Sequence, residues 1–220
     1  MMTDDRSRIF AAIQAALAGR EGGTAYPEWD DELAVAADAS DGVGPARAFR
    51  SRFEAAGGRC FDGVETLIAY LAERGVRVGY CDPALRQAVG AALAGRFELR
   101  ERVERNDLDA LDFAVTRASL GVAETGSLLL SDADTPDRLA AVAPWIHVAV
   151  LDPGNLVATL GEAIAREAPS PYSVFVTGPS QTADVEGILI RGVHGPGEQL
   201  CLMLAARPAD AVTAHSNTVG

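Results

Sequence analysis

Short apolar runs alternate with amphipathic segments from Phe49 to Leu204, and this rhythm leaves few architectures open. Strands buried on both faces read as unbroken apolar stretches, whereas helices repeat their apolar residues at three- and four-residue spacing. Val76-Arg77-Val78-Gly79-Tyr80-Cys81 and Ile146–Leu151 are of the first kind; Val64–Arg74, with Leu67, Ile68 and Leu71 on one face, is of the second. Helix and strand in turn build a layered α/β domain, a parallel-rich mixed central sheet flanked by helices.

In detail, the pattern predicts a helix around Phe49 and Phe53 that stops at Gly57-Gly58, a strand at 59–61, a helix over 64–74 and a strand at 76–81. A helix over 84–94, a strand near 96–100, a helical turn at 106–111 and a strand at 112–116 continue it. The second half is richer in strands: 120–123, 127–131, 146–151 and 173–177, with a helix over 155–167, and then 185–193 and 199–204 closing the sheet. Ahead of the domain, Ile9, Phe10, Ile13 and Leu17 share one face of a helix over 6–18. Gly19 to Pro45, rich in Gly, Asp and Glu, reads as a linker, and residues 206–220 as a polar, Ala-containing tail. The expected division is therefore 1–45, helix and acidic linker, and 46–220, the α/β domain.

Charge and residue usage exclude several functions. A formal net charge of −12 repels phosphate backbones and anionic membrane surfaces, so neither nucleic acid nor membrane is an expected partner. All 19 basic residues are arginine; without lysine, Schiff-base chemistry and a Walker-type phosphate loop are ruled out. Cys60, Cys81 and Cys201 are widely separated and form no C-x-x-C. The chain is thus expected to hold no metal and no cofactor of its own, its thiols sitting in a reducing compartment. With no basic leader before an apolar run and no long apolar span, the expected location is cytoplasmic.

Three segments join glycine to polar side chains next to predicted strands, where open α/β sheets place ligands. In Ala123-Glu124-Thr125-Gly126-Ser127 a carboxylate is lodged between two apolar runs. Glu124 there is either a tuned acid or nucleophile, or the cap of a turn that satisfies backbone N–H groups. In Thr177-Gly178-Pro179-Ser180-Gln181-Thr182-Ala183-Asp184, Gly178 admits close backbone approach while Ser180 and Thr182 offer donors for a carboxylate or phosphate; the alternative is a capped turn. In Gly192-Val193-His194-Gly195-Pro196, His194 is suited to proton transfer near neutral pH, or is a hydrogen-bonded structural residue. His147, in an apolar strand, reads as a core or interface residue. If the three segments form one site, they converge on a single cleft at the strand ends.

Taken together, A-E-T-G-S, G-P-S-x-T-A-D-x-E through Glu186 and G-V-H-G-P resemble the LUD domain family in order and spacing, and within it the lactate utilization C subgroup. The resemblance spans residues 112–204 throughout and the front half loosely. It implies a fold similar to the ribose-5-phosphate isomerase, glucosamine-6-phosphate deaminase and CoA-transferase group. It also implies a part in oxidising L-lactate to pyruvate with partner lactate utilization proteins that carry iron–sulfur clusters. By the same resemblance, Glu124 and His194 are the catalytic candidates, and Thr125, Gly126, Gly178, Pro179, Ser180, Thr182, Asp184, Glu186 and Gly195 are the ligand-binding ones. Gln181 departs from the pattern, standing where the family often has Lys or Arg, which weakens the case for an anion there. Two other functions fit the same residues: a non-catalytic subunit for small-carboxylate binding or assembly, and a CoA-transferase-like acyl transfer through Glu124.

Overall fold

A computed structural model describes residues 3–19, 44–166, 170, 172–183 and 188–205. The chain falls into two units, residues 1–36 and 37–220. In the first, α1 (Thr3–Leu17) carries Ile9, Phe10, Ile13 and Leu17 along one face, each about half exposed or more. The expected linker and tail lie largely and wholly outside the described residues.

The second unit is built on six parallel strands: β1 (Arg59–Phe61), β2 (Val78–Cys81), β3 (Glu98–Arg100), β4 (Phe113–Arg117), β7 (Ile146–Leu151) and β12 (Glu198–Met203). Their spatial order is β1-β12-β7-β4-β2-β3. β7 is buried at every position, as a central parallel strand with both faces covered must be. On one face Phe113, Val115, Val148, Val150, Leu200 and Leu202 meet α3 (Val64–Glu73) and α4 (Ala91–Ala94). Cys60, Ala149, Leu151, Cys201 and Met203, on the other face, meet α2 (Pro45–Ala55) and a second sheet.

That second sheet has the order β8-β5-β6-β9, with β5 (Leu120–Val122), β6 (Ser127–Ser131), β8 (Leu156–Val157) and β9 (Ser173–Val176). β6 runs antiparallel to both β5 and β9. Its far face packs Leu120, Val122, Leu129 and Val157 against Ala163 of α6 (Leu160–Arg166). From helices to helix, the layers are α3/α4, parallel sheet, mixed sheet with α2, and α6. β10 (Gln181–Ala183) and β11 (Leu189–Arg191) form a separate antiparallel hairpin.

Local sequence explains most elements. Pro45 starts α2 at its first turn, where no amide hydrogen is needed, and Phe49 and Phe53, four apart, stack at 5.5 Å and are fully buried. Each ring contributes on the order of 2–3 kcal/mol by leaving water. The expected helix over 84–94 resolves into a 3-10 turn at Pro83–Leu85, a π turn at Arg86–Gly90 and α4, with Asp82 accepting from Ala84 N at the start. The helix expected over 155–167 is shorter, because Leu156 and Val157 pair with β5 first.

Two expectations about the sheet are corrected. The strands at 185–193 and 199–204 do not close it: within the described part of the first, only Leu189–Arg191 is extended, and it pairs with β10, while β12 lies inside the sheet between β1 and β7. The strands expected at 120–123 and 127–131, β5 and β6, do not join the parallel sheet: a four-residue turn connects them, which permits only antiparallel pairing, and they belong to the mixed sheet. Between β6 and β7 the chain forms α5 (Arg138–Val142).

Candidate functional site

The turn Ala123–Gly126 ends β5 and is clamped against α2. Arg52 Nη1 donates to Ala123 O at 2.8 Å. Gly126 has φ +66°, and a Cβ there would lie 2.3 Å from Phe53 N, so this backbone must be glycine for the turn and helix to meet. Glu124, half-buried, accepts a hydrogen bond from Leu160 N at 3.0 Å through Oε2 and gives its own N–H to Ala158 O. Its carboxylate therefore binds the first residue of α6, the capping alternative read from the sequence. Exposed Thr125 continues the polar line: its Oγ1 is 2.7 Å from Ser127 Oγ, which is 2.5 Å from Thr177 Oγ1.

Thr177 leads into the second segment. Gly178, at φ +78°, is pressed against α2, where a Cβ would fall 2.4 Å from Ala56 O. Pro179 is buried beside Gly57. Ser180 N donates to Pro196 O at 2.9 Å and Ser180 O accepts from Gly192 N at 3.0 Å, so the second and third segments form one loop pair. Gly195 lies against Ser180. Thr182 is half-buried in β10, and Gln181 stands opposite Arg191 in the hairpin register. His194 is exposed; Asp184 and Glu186 lie outside the described residues.

Hydroxyls of Thr125, Ser127 and Thr177 form one polar line, and backbone bonds join Ser180 to Gly192 and Pro196. The expected convergence on a single cleft at the carboxyl edge of the parallel sheet is corrected: the first and third segments border separate cavities. The strands before the three segments are β5, β9 and β11, none of them in that sheet. The third segment approaches the opposite, amino-terminal edge, where Gly192 and Gly197 touch the ring of Trp145, the residue before β7. A cleft of about 490 Å³ opens there, with Arg74, Asp112, Trp145, Gly192, Gly195 and Glu198 in its wall. Arg74 pairs with Glu198 at 2.9 Å, and Tyr70 donates to Glu198 at 2.6 Å. Ala123 instead borders a cavity of about 640 Å³ between β8 and α6, with Ala158, Glu162 and Arg166.

Among the described residues, no group of three His, Cys, Asp or Glu side chains is placed to hold a metal ion. The three cysteines are buried and unbridged. Burial pushes the Cys81 thiol up to about 12, with Asp82 adding to the effect. Cys201 is raised by hydrogen bonding to Cys60, its neighbour across β1 and β12, and by burial. Thiols held protonated are poor metal ligands and nucleophiles. No described helix is long and apolar enough to cross a membrane.

Sequence reading missed the charged residues at the carboxyl ends of β2 and β4. Asp82 is buried there, and Arg117 Nη2 pairs with Asp134 Oδ1 at 2.5 Å. The available signal was Asp82-Pro83 directly after one strand and Arg117 at the end of another, each ordinary when taken alone.

The LUD domain pattern matches residues 65–204, more than half of the chain and all three segments. Curated relatives include lactate utilization protein C of Deinococcus radiodurans, 30% identical over 95 residues (41% of this chain, 45% of that protein). That of Anoxybacillus flavithermus is 30% identical over 109 residues (47% and 50%), and that of Bacillus subtilis 27% over 101 (42% and 42%). The chain spans half or less of these relatives' length. A crystal structure of a DUF162 family protein from Deinococcus radiodurans aligns with TM-score 0.40 and 18% identity, covering 73% of this chain and 98% of that one. By the match across its α/β core, this chain belongs to the LUD domain family.

Proposed function

We propose that the chain is a component of lactate utilization, acting in the oxidation of L-lactate to pyruvate beside iron–sulfur partner proteins. The observation that carries this reading is the LUD domain match over 65–204, together with relatives named lactate utilization protein C. Its three cysteines are buried, which favours clusters held by the partners, to which the electrons leaving lactate would pass. Glu124, Ser180 and His194 lie in the segments that resemble the family's motifs and are the positions to mutate. An assembly role within the same system draws support from α1, whose Ile9, Phe10, Ile13 and Leu17 remain exposed. Deleting the gene in its source organism is expected to abolish growth on L-lactate and to leave growth on pyruvate intact, with wild-type DNA restoring it. Unimpaired growth of the deletion strain on L-lactate would overturn the proposal.

A further inference from the structure

The parallel sheet reverses its winding between β2 and β4. From β2 the chain moves to β3 on one side, whereas the next strand of this sheet after β4 is β7, on the other. Connections that diverge from neighbouring strands leave a crevice outside their carboxyl ends, the position at which open α/β sheets bind ligands. The residues at this position are charged. Asp82, immediately after β2, gives its N–H to Val115 O at 2.9 Å and accepts from Ala84 N at 2.8 Å. Arg117, the last residue of β4, meets Asp134, and Thr135 Oγ1 donates to Arg117 O at 2.7 Å, which fixes the turn carrying Asp134.

Arg117 Nε is buried without a hydrogen-bond partner, and it is the sole such side-chain nitrogen or oxygen among the described residues. Nε and Nη2 form the guanidinium edge that takes a carboxylate through two parallel bonds. Asp134 engages only Nη2, so half of that edge is unused.

We propose that this crevice binds a small 2-hydroxy or 2-oxo monocarboxylate, its carboxylate spanning Nε and Nη2 of Arg117 in place of Asp134 and its second oxygen facing Asp82. The choice of acid rests on the lactate reading; the carboxylate contact does not. Asp134, a third exposed, swings out to water when displaced. Burial raises the Asp82 carboxyl, the Ala84 amide and Arg117 lower it, and Asp134 and Asp137 raise it further. A raised carboxyl takes up a proton, and with it the ability to donate to a ligand oxygen, more readily than a free aspartate does.

Isothermal titration calorimetry on the full chain tests this, with L-lactate, pyruvate and acetate as probes at concentrations up to the order of 10 mM. L-lactate and pyruvate are expected to give saturable heats, and acetate to bind more weakly. Arg117→Gln should weaken L-lactate binding about tenfold or more, whereas Asp134→Asn, which removes the competitor, should tighten it several-fold. A purely structural Arg117–Asp134 pair predicts no tightening. If Arg117→Gln does not fold, Asp134→Asn decides alone. The proposal is overturned if no probe binds, if Asp134→Asn fails to tighten binding, or if acetate matches L-lactate. Growth of the deletion strain is independent of these titrations: a lactate-dependent phenotype with no carboxylate binding sinks the crevice alone, and Arg117-dependent binding without the phenotype sinks the lactate reading alone.

Discussion

Gly126 and Glu124 sit two residues apart and do different work. Gly126 must hold a left-handed backbone while Phe53 N passes where a Cβ would be. Gly126→Ala therefore combines left-handed strain with a backbone clash, and is expected to cost about 2 kcal/mol or more, read by urea denaturation. Glu124 is held by Leu160 N at the start of α6. Glu124→Gln retains an acceptor oxygen of the same reach, so the melting temperature should move little, while Glu124→Ala, which removes the cap, should cost about 1 kcal/mol. Loss of lactate-dependent growth in Glu124→Gln at unchanged melting marks a chemical role; a growth defect confined to Glu124→Ala, in proportion to its lost stability, marks a structural one.

At the level of strands, His147 joins β7 to both neighbours. Its Nε2 is 2.9 Å from Thr116 Oγ1 in β4 and its Nδ1 2.9 Å from Gln199 Oε1 in β12. Complete burial lowers the imidazole from 6.5 to about 4, with Gln199 opposing the shift. Below pH 6.5 the unfolded chain takes up a proton that folded His147 refuses, so stability falls with pH until about 4, by roughly 3 kcal/mol in total. Raised Asp82 works in the opposite sense and gains stability on acidification. Denaturation from neutral pH to about 4 should show a shallower decline in His147→Asn than in the wild type; equal slopes would remove His147 from the account. The reading of His147 as a core residue came from its apolar strand, and the same apolar continuity made β4, β7 and β12 legible in sequence. Partners were not legible, because pairing is a long-range outcome. β12 enters between β1 and β7, some 140 and 50 residues earlier in the chain, and no local pattern encodes that. Asp82 and Arg117 illustrate the same limit: 35 positions separate them, and only the pairing of β2 with β4 brings them to the same edge of the sheet.

On the scale of the whole molecule, the proposed role in lactate oxidation requires electrons to leave through redox partners. A tagged chromosomal copy is accordingly expected to co-purify with proteins that bring iron and visible absorbance, while the chain expressed alone should be colourless. Stoichiometric iron in the isolated chain would overturn that division of labour. The most direct test of the lactate reading itself is enzymatic, in extracts of the source organism's deletion strain supplied with an artificial electron acceptor. L-lactate-dependent acceptor reduction should be absent from such extracts and should return when the purified chain is added. Reduction at the wild-type rate before any chain is added would contradict it.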